Sequence, residues 1–278
     1  MSDYKDYQTE SAVVAGLTAD SSLLKKALIN GQTVLVNPNA KILSLEQFEQ
    51  GRHRKRGTFI TQDFDSFGDY IEGNTAYEDV RVFINKDQMQ AVAVLNFYED
   101  GFEQGHLDHK ALLDAAPTVM FKKLLWMHEM GRCKQKVFAE FLEDWGHKVV
   151  ARDADGNEIE NAKAINAVRS MRIDESAQTE SHAGNYRETR SRLESVEAKS
   201  MDGALPTYFT VDDECYHGIP PRNLKLRFSI NNDDGQPVFK LEVIGLQVVQ
   251  DDLAKQFSEI IKAGFEGEVA VVIGQFKG

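Results

Sequence analysis

Alternating hydrophobic and polar positions predict two antiparallel hairpins. Residues 80–84 and 91–97 are apolar runs joined by a short polar segment, which is the pattern of two strands and a turn. The second run is apolar at its first five positions, so we expect it to lie centrally in a sheet and to be covered on both faces. Residues 224–230 alternate, and residues 238–243 largely alternate back after a turn rich in Asn and Asp. This second hairpin is expected to bury one face and expose the other.

Shorter apolar runs predict further strands at 33–36, 58–61, 106–113 and 269–273. Apolar residues spaced three and four apart predict helices, and the clearest helix spans residues 134–145 and stops at Gly146. Its apolar stripe consists of Val137, Phe138, Phe141, Leu142 and Trp145. We expect this stripe to pack on the sheet.

Four other segments have helical spacing. A short helix is expected around residues 23–28, and another at 64–71 behind Asp63 and Asp65. A helix at 158–169 is expected to bury a narrow face. A last helix is expected from a cap at Asp251 to a stop at Gly264. The apolar faces of the last two are Ile159, Ala162 and Ile165, and Leu253, Phe257, Ile260 and Ile261.

Residues 170–200 differ from the rest of the chain because they contain few large apolar side chains. A long polar hairpin, an exposed helix and a disordered insert all fit this composition. We favour a hairpin arm turning at Gly184 and Asn185. Isolated two-stranded ribbons are marginally stable in water, so such an arm needs a surface to lie against. A neighbouring subunit would provide one.

These elements predict an α+β fold, with a mainly antiparallel sheet, a few packed amphipathic helices and a polar β-hairpin arm. We expect residues 1–32 to form a loosely ordered segment and residues 33–169 to form the α+β core. Residues 170–200 are expected to form the arm, and residues 201–278 to complete the core with a hairpin, a helix and a strand. We expect a single domain overall, since a chain of this length can bury a large core.

Charge and composition narrow the classes of function. The chain has 32 basic and 44 acidic side chains, a formal net charge of −12, which opposes non-specific binding to nucleic acid. No apolar run approaches the roughly 20 residues of a membrane span. Two cysteines and a start without a secretory signal fit a reducing cytoplasm.

One dense basic cluster interrupts this acidic chain. It consists of Arg52, Arg54, Lys55 and Arg56. Such a cluster could contact nucleic-acid phosphates, or it could be a solvated loop or the basic half of a subunit contact. The net charge favours the second interpretation.

Residues His106, Asp108 and His109 are the candidate metal ligands. On a helix the two histidines would share a face. Strand character at 106–113 instead predicts that His106 and His109 point to opposite faces, which disfavours a metal site. The chain also lacks the common nucleotide-binding, metalloprotease and hydrolase motifs. We therefore assign no catalytic, cofactor-binding or metal-binding residue, and we expect no cofactor.

Four stretches together resemble a known family. They are residues 56–59 (Arg-Gly-Thr-Phe), residues 108–111 (Asp-His-Lys-Ala), the acidic helix at 138–144 (Phe-Ala-Glu-Phe-Leu-Glu-Asp), and the closing strand, turn, strand and helix. From about residue 33 onward the chain resembles the YfdQ-like family of uncharacterised phage and prophage proteins. The resemblance implies a phage-derived, cytoplasmic protein of unknown molecular function, and it supplies no catalytic residues.

The sequence leaves several hypotheses about function. The first is a non-enzymatic phage or prophage accessory protein that assembles with itself or binds another phage or host protein. The second is a nucleic-acid-binding accessory of phage replication or recombination that uses the basic cluster. Others are a metal-dependent hydrolase built around His106, Asp108 and His109, and an inhibitor of host defence.

Overall fold

A computed structural model describes residues 50–51, 54–74, 76–99, 103–171, 205–233 and 236–277. The chain divides into two compact units, residues 1–54 and 55–278, and the second is described below. The predicted helix around 23–28 and the predicted strand at 33–36 lie outside the described residues, as does the predicted arm beyond Met171.

The described part of the second unit has thirteen strands and five α-helices. The strands are β1 (Gly57–Thr61), β2 (Arg81–Asn85), β3 (Gln90–Val94), β4 (Tyr98–Glu99), β5 (Glu103–Gln104), β6 (His109–Asp114), β7 (Cys133–Lys134), β8 (Val149–Arg152), β9 (Glu158–Ile159), β10 (Tyr208–Asp213), β11 (Arg222–Asp233), β12 (Gln236–Val243) and β13 (Ala270–Ile273). The helices are α1 (Phe64–Glu72), α2 (Val119–Met130), α3 (Gln135–Trp145), α4 (Asn161–Ser170) and α5 (Leu246–Gly264).

A five-stranded sheet has the order β1-β6-β3-β2-β13. The predicted hairpin of β2 and β3 is confirmed, and β3 is the central strand as expected. Its Ala91 and Ala93 are fully buried on one face, while on the other face Val94 is buried and Val92 is half-buried. The two outer pairs, β1 with β6 and β2 with β13, are parallel, which the sequence pattern did not predict.

A six-stranded antiparallel sheet has the order β7-β12-β11-β10-β8-β9. The predicted hairpin of β11 and β12 is confirmed, and Phe228 lies opposite Leu241. Leu224, Leu226 and Phe228 are buried, whereas the alternating Lys225 and Arg227 are exposed. The expected division of this hairpin into one buried and one exposed face is therefore confirmed. The two large sheets and the five helices also confirm the predicted α+β fold class.

Helix α3 packs on the six-stranded sheet through Phe138, as predicted. The Phe138 ring stacks on Phe228 and Phe239, with centroids 5.1 and 5.3 Å away, and meets Phe209 edge to face at 5.8 Å. These three partners come from β10, β11 and β12, so one helical side chain contacts three adjacent strands. This aromatic cluster is the centre of the contact between helix and sheet.

Two predicted helix starts are wrong. Helix α4 begins at Asn161 because Ile159 belongs to β9, where it pairs with Ala151 of β8. Its buried face is Ala164, Ala167 and Val168; Ala162 is exposed.

Helix α5 begins five residues before the predicted cap. It starts at Leu246, after Gly245 in the left-handed conformation with φ of 66°. Asp251 is therefore an exposed residue inside the helix, where its carboxylate lies 2.8 Å from Lys255 Nζ. The predicted end at Gly264 is confirmed. None of the helices in the described part of the chain is long and apolar enough to cross a membrane.

Candidate functional site

Strand β1 forms one edge of the five-stranded sheet and is paired with β6 on its inner side. The N–H of Gly57 donates to the carbonyl oxygen of Asp108 at 2.8 Å, so the backbone groups of Gly57 face β6. Because these groups alternate along a strand, the N–H and C=O groups of Thr58 and Ile60 point away from β6. The edge of the described sheet thus presents four backbone groups in one line.

The side chains of β1 offer little protection against pairing with another strand. Its five residues, Gly-Thr-Phe-Ile-Thr, include no charged residue and no proline. Ile60 is 64% exposed. Proteins commonly block such edges with lysine, proline or a bulge, because an open edge is a template for another strand. Strand β1 has the properties of an interaction edge.

Opposite charges flank β1. Lys55 and Arg56 are exposed before its start, and Asp63 and Asp65 are exposed after its end. Lys55 Nζ donates to the carbonyl oxygen of Asn74 at 3.3 Å and to its side-chain oxygen at 3.4 Å. Asp63 caps α1 by accepting the backbone N–H of Ser66 at 2.7 Å. Hydrogen bonding to the Ser66 side chain, followed by this backbone hydrogen bond, lowers the pKa of the Asp63 carboxyl group. The strand is therefore positive at one end and negative at the other.

An aromatic cluster supports the inner face of β1. Phe59 stacks on Tyr70 of α1 with ring centroids 4.3 Å apart. The Tyr70 hydroxyl lies 3.3 Å from His109 Nε2 at the start of β6. His109 is 5% exposed, and its burial, followed by the nearby charge of Lys55, lowers the pKa of its imidazole. The imidazole is neutral at neutral pH and acts here as a packed partner of the tyrosine.

The predicted strand at 106–113 is wrong at its start, because residues 106–108 form a loop before β6. The strand begins at His109, and Leu107 has a φ of 59°, which a regular strand does not contain. Asn96 holds the loop: its amide donates to Asp108 Oδ1 at 3.0 Å, and its Oδ1 accepts the N–H of His109 at 3.1 Å. His106 and Asp108 therefore lie in a loop, and the predicted alternation of side chains does not apply to them.

Replacing Asn96 with alanine should destabilise this end of the sheet. The substitution leaves the N–H of His109, a residue that is only 5% exposed, without its side-chain acceptor, and we expect a loss of about 1–3 kcal/mol in the free energy of unfolding. Urea denaturation followed by circular dichroism measures the loss. Asn85, the last residue of β2, is a matched control because its amide also makes two hydrogen bonds, here exposed ones to Gln88. An equal loss from Asn85→Ala would contradict the assigned role.

The basic cluster and the histidine segment, which are far apart in the sequence, meet at this edge. The parallel pairing of β1 with β6 brings Lys55 and Arg56 next to the segment that carries Asp108 and His109. Arg54 belongs to the preceding unit, and Arg52 lies outside the described residues. Asp63 and Ile60 were not singled out as site residues. Their signal was present in the sequence: an uncharged strand between a basic and an acidic end.

Away from this edge, His128 forms a hydrogen bond and the two cysteines are buried. Among the described residues, no group of three or more His, Cys, Asp and Glu side chains is arranged to hold a metal ion. His128 Nδ1 accepts the N–H of Val243 at 3.1 Å. Burial raises the pKa of the Cys133 thiol to about 11, and burial is also the largest cause that raises the Cys215 pKa to about 11. Neither thiol forms a useful amount of thiolate at neutral pH.

A shallow cleft lies elsewhere, at the start of α2. Its volume is about 300 Å³, and its lining includes Thr118, Trp145, Lys148 and His217. The ammonium group of Lys148 is 2.5 Å from Asp213 Oδ2. This ion pair engages the cation that would otherwise attract an anionic ligand.

Comparison with known proteins gives a family. No curated protein and no solved structure matches the chain. The family model that matches is described as an uncharacterized conserved protein, DUF2303, and it covers residues 6–276, which include β1 and the five- and six-stranded sheets. The predicted resemblance is thus confirmed as far as an uncharacterised conserved family extending over most of the chain. The chain belongs to the DUF2303 family of uncharacterized conserved proteins.

Proposed function

We propose that this protein is a non-enzymatic phage or prophage accessory protein that acts in the cytoplasm through homo-oligomeric self-assembly or protein binding. The observation that carries the proposal is the position of β1 at the edge of the described sheet, with its uncharged side chains and outward backbone groups. Strand addition at such an edge is a common mode of protein recognition. The edge therefore fits a binding role.

The energetics favour an added strand. The N–H and C=O groups of Thr58 and Ile60 would exchange water for hydrogen bonds to the partner, and each such bond contributes about 0.5–1.5 kcal/mol. Ile60 is 64% exposed, so covering its side chain completely would add about 1–2 kcal/mol, which is two-thirds of the gain for a fully exposed isoleucine. Side-chain ordering and lost translational freedom oppose these gains, so several contacts must form together.

The non-enzymatic part of the proposal is supported by the surroundings of the two cysteines and of His109. The two cysteine thiols have raised pKa values, and His109 is packed against Tyr70. Each of these groups has a structural role that accounts for its position. The phage setting and the cytoplasmic location draw on the family resemblance of residues 56–59, 108–111 and 138–144, and on the small number of cysteines.

Nucleic-acid binding is the second candidate, and the exposure of Lys55 and Arg56 at one corner favours it. Cations at such a corner would contact phosphates and give binding that weakens as salt rises. Particle mass and the ratio of absorbance at the nucleic-acid and protein maxima, measured together on the purified protein, separate the two candidates. Salt-dependent binding that is unaltered in a Lys55→Ser, Arg56→Ser double variant would remove these two residues as the basis of this second candidate, and no nucleic-acid binding by the wild-type protein would contradict it.

A lysine at position 60 should prevent assembly. Ile60→Lys places a charge on the exposed side of β1, where paired strands would have to desolvate it. We expect the wild-type particle mass, by mass photometry, to be a multiple of the 31.3 kDa chain and the variant to be a single chain. The dissociation constant should rise about tenfold or more.

The matched control for this variant is Val248→Lys. Val248 is 65% exposed, close to the 64% of Ile60, but it lies on helix α5 and not on a sheet edge. The control changes charge and exposed apolar area in the same way, so it should leave the particle mass unchanged. A wild-type protein that is strictly monomeric at micromolar concentration would contradict self-assembly.

A further inference from the structure

We propose that the partner of β1 is β1 of a second copy of this chain, paired antiparallel about a two-fold axis through Phe59. This inference rests on the proposed self-assembly and specifies its partner and register. The two five-stranded sheets would then continue across the dimer as one sheet. Three independent features of the edge support this register.

The first feature that supports this register is the set of outward backbone groups of β1. The outward N–H and C=O groups belong to Thr58 and Ile60, because Gly57 faces β6. Antiparallel pairing centred on Phe59 places Thr58 directly opposite Ile60 of the second copy. Two opposed residues that both point outward exchange two hydrogen bonds, and the two-fold axis repeats this pair. All four outward backbone groups of each copy are then satisfied.

The charges support the same direction of pairing. Lys55 and Asp63 each lie four positions from Phe59, on opposite sides. The two-fold register therefore brings Lys55 of one copy toward Asp63 of the other, and does so twice. Parallel pairing in register would instead bring Lys55 toward Lys55. Lys55 Nζ donates to the two neutral oxygens of Asn74, so its charge can still be offset by a carboxylate.

The third feature that supports this register is the arrangement of the side chains of β1. Successive residues of a strand point to opposite faces, so Ile60 lies on the face away from the Phe59–Tyr70 stack. It is adjacent there to Leu112 of β6, which is its partner in the sheet register. The proposed dimer places Thr58 of the second copy beside Ile60, and this contact covers the exposed side chain. Gly57, opposite Thr61, adds no bulk at the ends of the pairing.

Reciprocal charge reversal tests the register. Lys55→Glu alone sets two acidic groups against each other across the dimer, and Asp63→Lys alone sets two ammonium groups against each other. We expect each variant to raise the dimer dissociation constant about tenfold or more. An equimolar mixture should form a heterodimer, because both cross-pairs become attractive. Native mass spectrometry with one variant ¹⁵N-labelled distinguishes this heterodimer from either homodimer.

Two further variants separate charge from folding. Asp63→Asn keeps an oxygen that caps α1 but removes the charge, so it should weaken the dimer while the thermal unfolding midpoint stays close to that of wild type. Lys122→Glu makes the same change as Lys55→Glu on an exposed position of α2 and should leave the dimer unchanged.

The outcomes distinguish this inference from the proposed function. A monomeric wild-type protein overturns both. A wild-type assembly that Ile60→Lys disrupts, but whose charge-reversed variants do not rescue each other in a mixture, overturns the two-fold register and leaves self-assembly standing. Formation of the heterodimer with loss of both homodimers supports the register. Capture of β1 by a different protein in a one-to-one complex, with no homodimer, overturns the second copy as the partner.

Discussion

Replacing Phe138 with alanine is expected to lower the free energy of unfolding by about 3–5 kcal/mol, because a buried aromatic side chain is lost and a cavity remains. Phe138 is completely buried, and its ring contacts Phe209, Phe228 and Phe239 on three neighbouring strands. Each of these aromatic pairs contributes beyond the buried area. The loss should appear as a lower midpoint in guanidinium denaturation followed by circular dichroism, with an unchanged slope.

Phe276→Ala is the control for this prediction. Phe276 stacks on Phe83 with ring centroids 4.8 Å apart, but it is half-buried at the end of the described chain. The same atoms are removed from a position that solvent can fill, so the loss should be clearly smaller than for Phe138. An equal or greater loss at Phe276 would mean that the aromatic cluster under α3 is not the main core of the six-stranded sheet.

The elements that were predicted correctly share a long, regular pattern. The hairpin of β11 and β12 alternates over enough residues to fix both its strands and its buried face, and the stripe on α3 is similarly unambiguous. In both cases local sequence and tertiary burial require the same conformation. The predicted helix start at Asp251 was wrong because an acidic residue before an apolar stripe gives the same sequence pattern at a helix cap as on the exposed face of a helix.

The candidate site was predictable only in parts. The basic residues before β1 and the histidines before β6 were each visible in the sequence. Their proximity could not be predicted, because parallel strands pair over long sequence separations that no local pattern encodes. Asn96 was missed for a related reason: its two hydrogen bonds join segments that are separated by a loop. Strand β1 itself was predicted, but its place at an edge depends on the order of all five strands.

Gly105→Ala should cause the other large effect, because a Cβ at this position would overlap the carbonyl oxygen of Asn96 and lie 2.9 Å from its carbonyl carbon. Both atoms belong to the backbone, so the loop must move. The N–H of Gly105 also donates to the carbonyl oxygen of Phe97 at 3.0 Å. Relieving the overlap would shift Asn96 away from Asp108 and His109. We expect a loss of about 3 kcal/mol in the free energy of unfolding.

Gly105→Ala should also weaken assembly, because the loop before β6 is bonded to the edge strand β1. The carbonyl oxygen of Asp108 accepts the N–H of Gly57, so a displaced loop loosens the first pairing of β1. Gly68→Ala is the control. Gly68 lies within α1, and a Cβ there would have no atom within 4 Å, so replacing this helical glycine should stabilise the protein by about 0.5–1 kcal/mol. Denaturation and mass photometry of both variants give the test. A Gly105→Ala protein with wild-type stability and particle mass would mean that the loop before β6 does not hold the edge in place.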